Sequence, residues 1–183
     1  MTTPKTYKGV LKEFDAHTQE VRDYFEHLPG LINGFNLDVA IAYAHSQVEL
    51  GHNMLLYCGL LKLHRADLTV TGRVVEATHL TRAGFKKFFE NIFGKAIPAA
   101  TAKLLEDAEE VRDKIIHGKD IAEARKRQAL VDVLNYAKAM NAFVAGIAGF
   151  APFGQDLRGF KGAGQAIDRA TTRWLMKGMG FAC

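Results

Sequence analysis

The chain has 183 residues, 48% hydrophobic and 24% charged, with a formal net charge of +4. A chain of this size buries roughly 70% of its unfolded surface, so one globular domain spanning residues 1–183 needs neither metal nor disulfide to fold. Cys58 and Cys183 make no spaced framework, no run reaches the roughly 18 uninterrupted apolar residues of a membrane span, and the first residues lack a signal-peptide pattern, so a cytoplasmic protein without membrane contact is expected.

Prolines stand only at positions 4, 29, 98 and 152, and the segments between them repeat with helical spacing, which predicts an all-α protein. A first helix is expected from Tyr7 to His27, ended by Pro29-Gly30. The second, Asn36 to His64, is apolar around most of its circumference and reads as the buried central helix. A polar break near Asp67 and a short helix over Arg73–His79 come next. Thr81 then caps a helix bearing Phe85, Phe88, Phe89, Ile92 and Phe93, which Gly94 ends. Pro98 opens a helix that runs to His117 with Gly118 as its stop, and a helix from Ile121 to Ala148 follows antiparallel to it after a short turn. Glycines at 146, 149, 154, 159, 162 and 164 mark a linker or covering loop. A last helix, Gln165 to Lys177, follows, and residues 151–183 read as an appendage.

Within Glu109–Gly118, Arg112 and His117 are separated by four residues at a helix end. At about 100° per residue, Arg112 falls inside the apolar arc of Leu104, Leu105, Ala108, Val111, Ile115 and Ile116. A guanidinium there keeps its charge and needs an anion or a wet cleft. Glu49 and Asp38 are the candidate anions. His117 lies about 7.5 Å along the axis and about 140° around it, so a regular helix would point the two side chains apart. The helix end must unwind, or a second subunit must contribute. The structural alternative is that Arg112 pairs with a core carboxylate and His117 caps carbonyls.

The run Arg112-Asp113-Lys114-Ile115-Ile116-His117-Gly118, ending one helix and followed closely by another, resembles the signature of the HEPN superfamily (higher eukaryotes and prokaryotes nucleotide-binding) over about residues 36–150. The resemblance implies a helical bundle and a homodimer whose two Arg/His pairs line one cleft. For many members it implies a metal- and cofactor-independent endoribonuclease, often a toxin or phage-defence protein with a cognate antitoxin; other members only bind nucleotides, RNA or protein. On this chain His117 would activate the ribose 2′-hydroxyl or protonate the leaving oxygen, Arg112 would stabilise the phosphorane and Asp113 would orient one of them, giving a 2′,3′-cyclic phosphate. In one subgroup a tyrosine stands two residues after the histidine as a modification target. Here that position is Lys119.

A competing metal reading rests on Glu49/His52 and Glu76/His79, two Glu-x-x-His pairs of the kind found in di-iron bundles. His45, Glu49 and His52 also have spacing that suits a single Zn²⁺, and with Asp38 they share one stripe that otherwise reads as a solvated helix face. The stretch from His52 to Glu76 is too short for the helix a di-iron bundle places between its pairs. Lys119 and the stripe Arg169/Arg173/Lys177, with Arg158 and Lys161 upstream, are the candidate nucleic-acid contacts. Ile167, Ala170, Trp174 and Leu175 are expected to supply that last helix's apolar side, and Trp174 to lie in the core or a dimer interface.

Overall fold

The computed structural model describes residues 3–154, 160, 162 and 164–183; Arg158 and Lys161 lie outside them. All regular structure among the described residues is helical: α1 Tyr7–Asp15, α2 Gln19–Tyr24, α3 Leu28–Gly34, α4 Leu37–His64, α5 Leu68–Ala77, α6 Arg82–Phe93, α7 Ala99–Ile116, α8 Glu123–Ala148 and α9 Arg169–Gly178. None of these helices is long and apolar enough to cross a membrane.

The expected first helix, Tyr7 to His27, is two, α1 and α2. Its apolar residues do face inward, with Val10, Phe14, Val21 and Phe25 all buried. The chain nevertheless breaks at Thr18, which takes an extended conformation before α2, and again after Tyr24. Pro29 starts α3 instead of stopping a helix, because the first turn of a helix leaves its amides unbonded and a missing N–H costs nothing there. The short helix expected from Arg73 begins earlier, at Leu68. Asp67 caps it, its carboxylate accepting from the Val70 amide at 2.9 Å. Thr81 caps α6 in the same way through Gly84, and Gly94 ends it with φ +64°.

The described residues fall into two compact units, and α4 and α8 contribute residues to both. Unit 1 draws on Met1–Leu50, Pro98–Phe143 and Phe153–Gln155. Its core includes Phe14, Phe25, Leu28, Ile41, Leu105, Val111, Leu130, Leu134 and Tyr136. Tyr24 and Tyr136 each meet Phe153 edge-on, with ring centroids 5.4 and 5.8 Å away. Asn141 fixes Phe153 by two hydrogen bonds, accepting from its amide at 2.8 Å and donating to its carbonyl at 3.0 Å. Burial raises the pKa of both tyrosines, so they remain neutral phenols. On the adjoining turns of α7 and α8, Arg125 reaches Glu110 at 3.3 Å, while Asp107 and Asp132 line a common cavity, so the two helices run antiparallel.

Unit 2 draws on Gly51–Ile97, Val144–Pro152 and Asp156–Cys183. Leu55, Leu56, Leu60, Phe85, Phe89, Ile92 and Met176 are buried in it. Gly59 is required by close packing: a Cβ there would lie 2.5 Å from the Phe93 ring. At Gly162 the backbone lies against the Leu61 carbonyl, again 2.5 Å from where a Cβ would stand. The tail is tied in by α9, where Thr172 accepts from the Asp67 amide, and by Asn91, which donates to the Met179 carbonyl. Cys58 is buried, its thiol pushed up to about 12 by desolvation, and Cys183 is exposed; both are free thiols.

Candidate functional site

The site begins with how α7 ends. Gly118 takes φ +65°, a conformation glycine adopts without a Cβ penalty. Its amide donates to the Ile115 carbonyl and the Lys119 amide to the Lys114 carbonyl, each at 2.9 Å. These are the two bonds of a Schellman motif, with His117 as C-cap and Gly118 as the left-handed residue. The helix stays regular to Ile116, and His117 keeps φ −85° and ψ 12°. Unwinding therefore does not bring the motif together; Arg112 and His117 leave the axis about 140° apart.

Arg112 is 33% exposed, on the rim of the apolar arc instead of inside it. Thr101, Leu105, Ala108 and Val111 are the buried stripe of α7. Beyond Val111 nothing covers the helix fully, and Ile116, counted as apolar arc on angle alone, is 62% exposed. Angular position predicts burial only where a neighbour packs on that turn.

Arg112 Nη2 donates to Glu49 Oε1 of α4 at 3.1 Å, and Nη1 lies 3.7 Å from Asp113 Oδ1. Three of the candidate residues are thus together. Asp38 is not with them. Its Oδ1 lies 2.6 Å from Lys126 Nζ, and Glu123 lies 3.3 Å from the same ammonium, which is 11% exposed. The Asp38 carboxylate, helped by Glu123, holds Lys126 above the ordinary lysine pKa. One turn before Lys114, Glu110 pairs with Lys114 and Arg125, and Lys114 chiefly holds its carboxyl below the usual range. His117 and Lys119 are exposed.

Sequence reasoning missed Lys126, although the signal was there: Lys126, Leu130, Val133 and Ala137 lie on one stripe of α8, so the argument applied to Arg112 applies to it. It also missed Asp132, whose buried carboxyl is raised above the usual range by desolvation and accepts from Gln128 at 2.8 Å. Asp132 lines a cavity of about 240 Å³ with Asp107, Arg125 and Gln128.

The metal constellation does not assemble. Among the described residues no group of three or more His, Cys, Asp or Glu side chains could hold a metal ion. His45 and His52 are buried, so the Asp38/His45/Glu49/His52 stripe is not a solvated face. His52 stacks on Phe85 with centroids 3.6 Å apart, and α5 ends at Ala77, before His79, so Glu76 and His79 do not share a helix.

On α9, Arg169, Arg173 and Lys177 are exposed as expected. The apolar side is a different one. Thr172 and Met176 are buried, whereas Ala170 is exposed and Trp174 is 76% exposed, so Trp174 is not a core residue.

Comparison with protein-family models, curated proteins and solved structures finds no match for this chain.

Proposed function

We propose that the chain is a HEPN-like, metal-independent endoribonuclease that works as a homodimer. The observation that carries this reading is the end of α7: an exposed His117 on a rigid Schellman turn, and one turn earlier Arg112, half-buried and oriented by Glu49. His117 takes the proton of a ribose 2′-hydroxyl, or in the second copy's role returns one to the departing 5′-oxygen. The 2′-oxygen attacks phosphorus, the bond to the 5′-oxygen breaks, and a 2′,3′-cyclic phosphate and a 5′-hydroxyl result. Arg112 stabilises the added charge on the phosphorane, and Asp113 orients its guanidinium.

The homodimer is favoured by two features. The regular helix aims Arg112 and His117 apart, so one chain alone does not converge them on a phosphate. Exposed apolar residues also surround the Arg112–Glu49 pair: Leu50, 50% exposed, follows Glu49, and Ile116 lies one turn beyond Arg112 on its face. The expected result is cleavage of single-stranded RNA in excess EDTA, with His117→Ala losing activity by roughly 10²- to 10⁴-fold while helicity and dimerisation persist. Activity retained in that variant overturns the mechanism.

A second reading, a non-catalytic HEPN-like binding module, draws on the same pair. Glu49 and Asp113 already occupy the Arg112 guanidinium, which weakens its pull on a phosphate. RNA binding without any cleavage would select it.

A further inference from the structure

Unit 2 contains a second cationic site, in which Arg73 joins two arginines of the stripe on α9. Arg73 of α5 and Arg169 and Arg173 of α9 line one cavity of about 80 Å³, with Thr69 beside them and Val70 and Val74 as its apolar floor. Thr69 and Arg73 are one turn apart on their helix, as are Arg169 and Arg173, so two ridges face each other across the opening. A single water needs about 10–15 Å³ of such space, so the cavity has room for a tetrahedral oxyanion.

Among the described residues the charge around it is unbalanced. Asp67 Oδ2 lies 3.7 Å from Arg169 Nε, but its other oxygen is committed to capping α5. Asp168 is spent on capping α9, accepting from Ala170 and Thr171. Glu76, three residues after Arg73, is exposed. Among the described residues neither Arg73 nor Arg173 has a carboxylate within ion-pair distance. Guanidinium groups gathered without counter-charge repel one another until an anion joins them, and their planar fork matches phosphate oxygens.

Trp174 selects the class of polyanion. Its ring is 76% exposed and leaves α9 about 60° from Lys177, beside the cationic ridge. An interfacial membrane helix would turn its apolar side outward, but Thr172 and Met176 are buried within the unit. One outward indole flanked by cations instead suits an unpaired base stacked next to its own backbone.

We propose that the Arg73/Arg169/Arg173 cavity holds a backbone phosphate of single-stranded RNA while Trp174 stacks on a neighbouring base. The choice of RNA rests on the reading of the chain as an RNA-acting protein; the geometry of the site does not. Trp174 is the only tryptophan in the chain, so its fluorescence reports directly on the site.

The test uses full-length His117→Ala protein in EDTA, titrated with a labelled mixed-sequence RNA of about a dozen nucleotides. Trp174 emission is expected to be quenched. Adding Arg73→Ala and Arg173→Ala is expected to weaken binding at least about tenfold and to lower the slope of log affinity against log salt by about 0.7, the share of one phosphate on a single strand. Trp174→Ala, followed by RNA anisotropy, is expected to weaken binding roughly tenfold. All three positions are exposed, so circular dichroism should be unchanged. RNA binding with no quenching and no loss in the double variant overturns the proposal, as does the absence of RNA binding. A blue shift of Trp174 on phosphatidylserine-containing vesicles but no response to RNA also overturns it and assigns the face to membranes. Cleavage by the parent protein is scored separately: binding lost in the double variant beside an inactive parent keeps this site and removes the ribonuclease reading, while cleavage with an indifferent double variant does the reverse.

Discussion

The two units treat their cations differently. In unit 1 three cations around the candidate site have carboxylates: Arg112 has Glu49, Lys126 has Asp38 and Glu123, and Arg125 has Glu110. In unit 2 Arg73 and Arg173 face a cavity with no carboxylate in ion-pair distance of either among the described residues. A paired cation is part of the scaffold, and its loss is felt in folding; an unpaired one contributes little to the fold and is available to an external anion.

Lys126→Met should break the contrast most visibly, because it leaves Asp38 beside apolar surface without its ammonium. A loss of about 2 kcal/mol is expected by denaturant titration. Because Lys126 is raised above the ordinary lysine pKa, its contribution is complete below the unfolded value near 10.5 and disappears as pH rises through the folded value. The wild type should therefore lose its advantage over Lys126→Met only in strongly alkaline buffer. Gly118→Ala comes next at about 1–2 kcal/mol, since the space around it is open and only the positive φ opposes a side chain. Glu49→Gln, which releases Arg112 from a largely solvated pair, should cost less than about 1 kcal/mol. Arg73→Ala with Arg173→Ala should stay within about 0.5 kcal/mol of the parent or raise its stability. A large loss there would place these arginines in the scaffold and erase the difference between the units.

Much of this was legible from residue order. Thr81, Gly94 and Gly118 mark helix ends that the structure places there, and the bounds of α4, α7 and α8 lie close to those the apolar periodicity predicts. The break at Thr18 was not legible, because no proline or glycine punctuates it. Pro29 was legible but ambiguous, since proline both follows helices and begins them. Arg112 and Trp174 failed for a common reason: periodicity gives the angle of a side chain but not whether another helix covers that turn. For Arg112 the cover ends at Val111. For the short α9 two faces competed, and the one bearing Thr172 and Met176 was buried. The meeting of Arg73 with Arg169 and Arg173 is invisible in sequence, because it depends on the packing of two helices far apart in the chain.

The turn that closes α7 has an evolutionary consequence. The carbonyls of Ile115 and Lys114 are satisfied by the amides of Gly118 and Lys119, so the main chain completes the helix without help from the imidazole. Position 117 therefore carries no structural duty in its side chain. A lineage with this fold could lose the histidine and regain it by single steps, with a folded protein at every stage, so under the proposed ribonuclease reading an active and an inert form would differ by one residue.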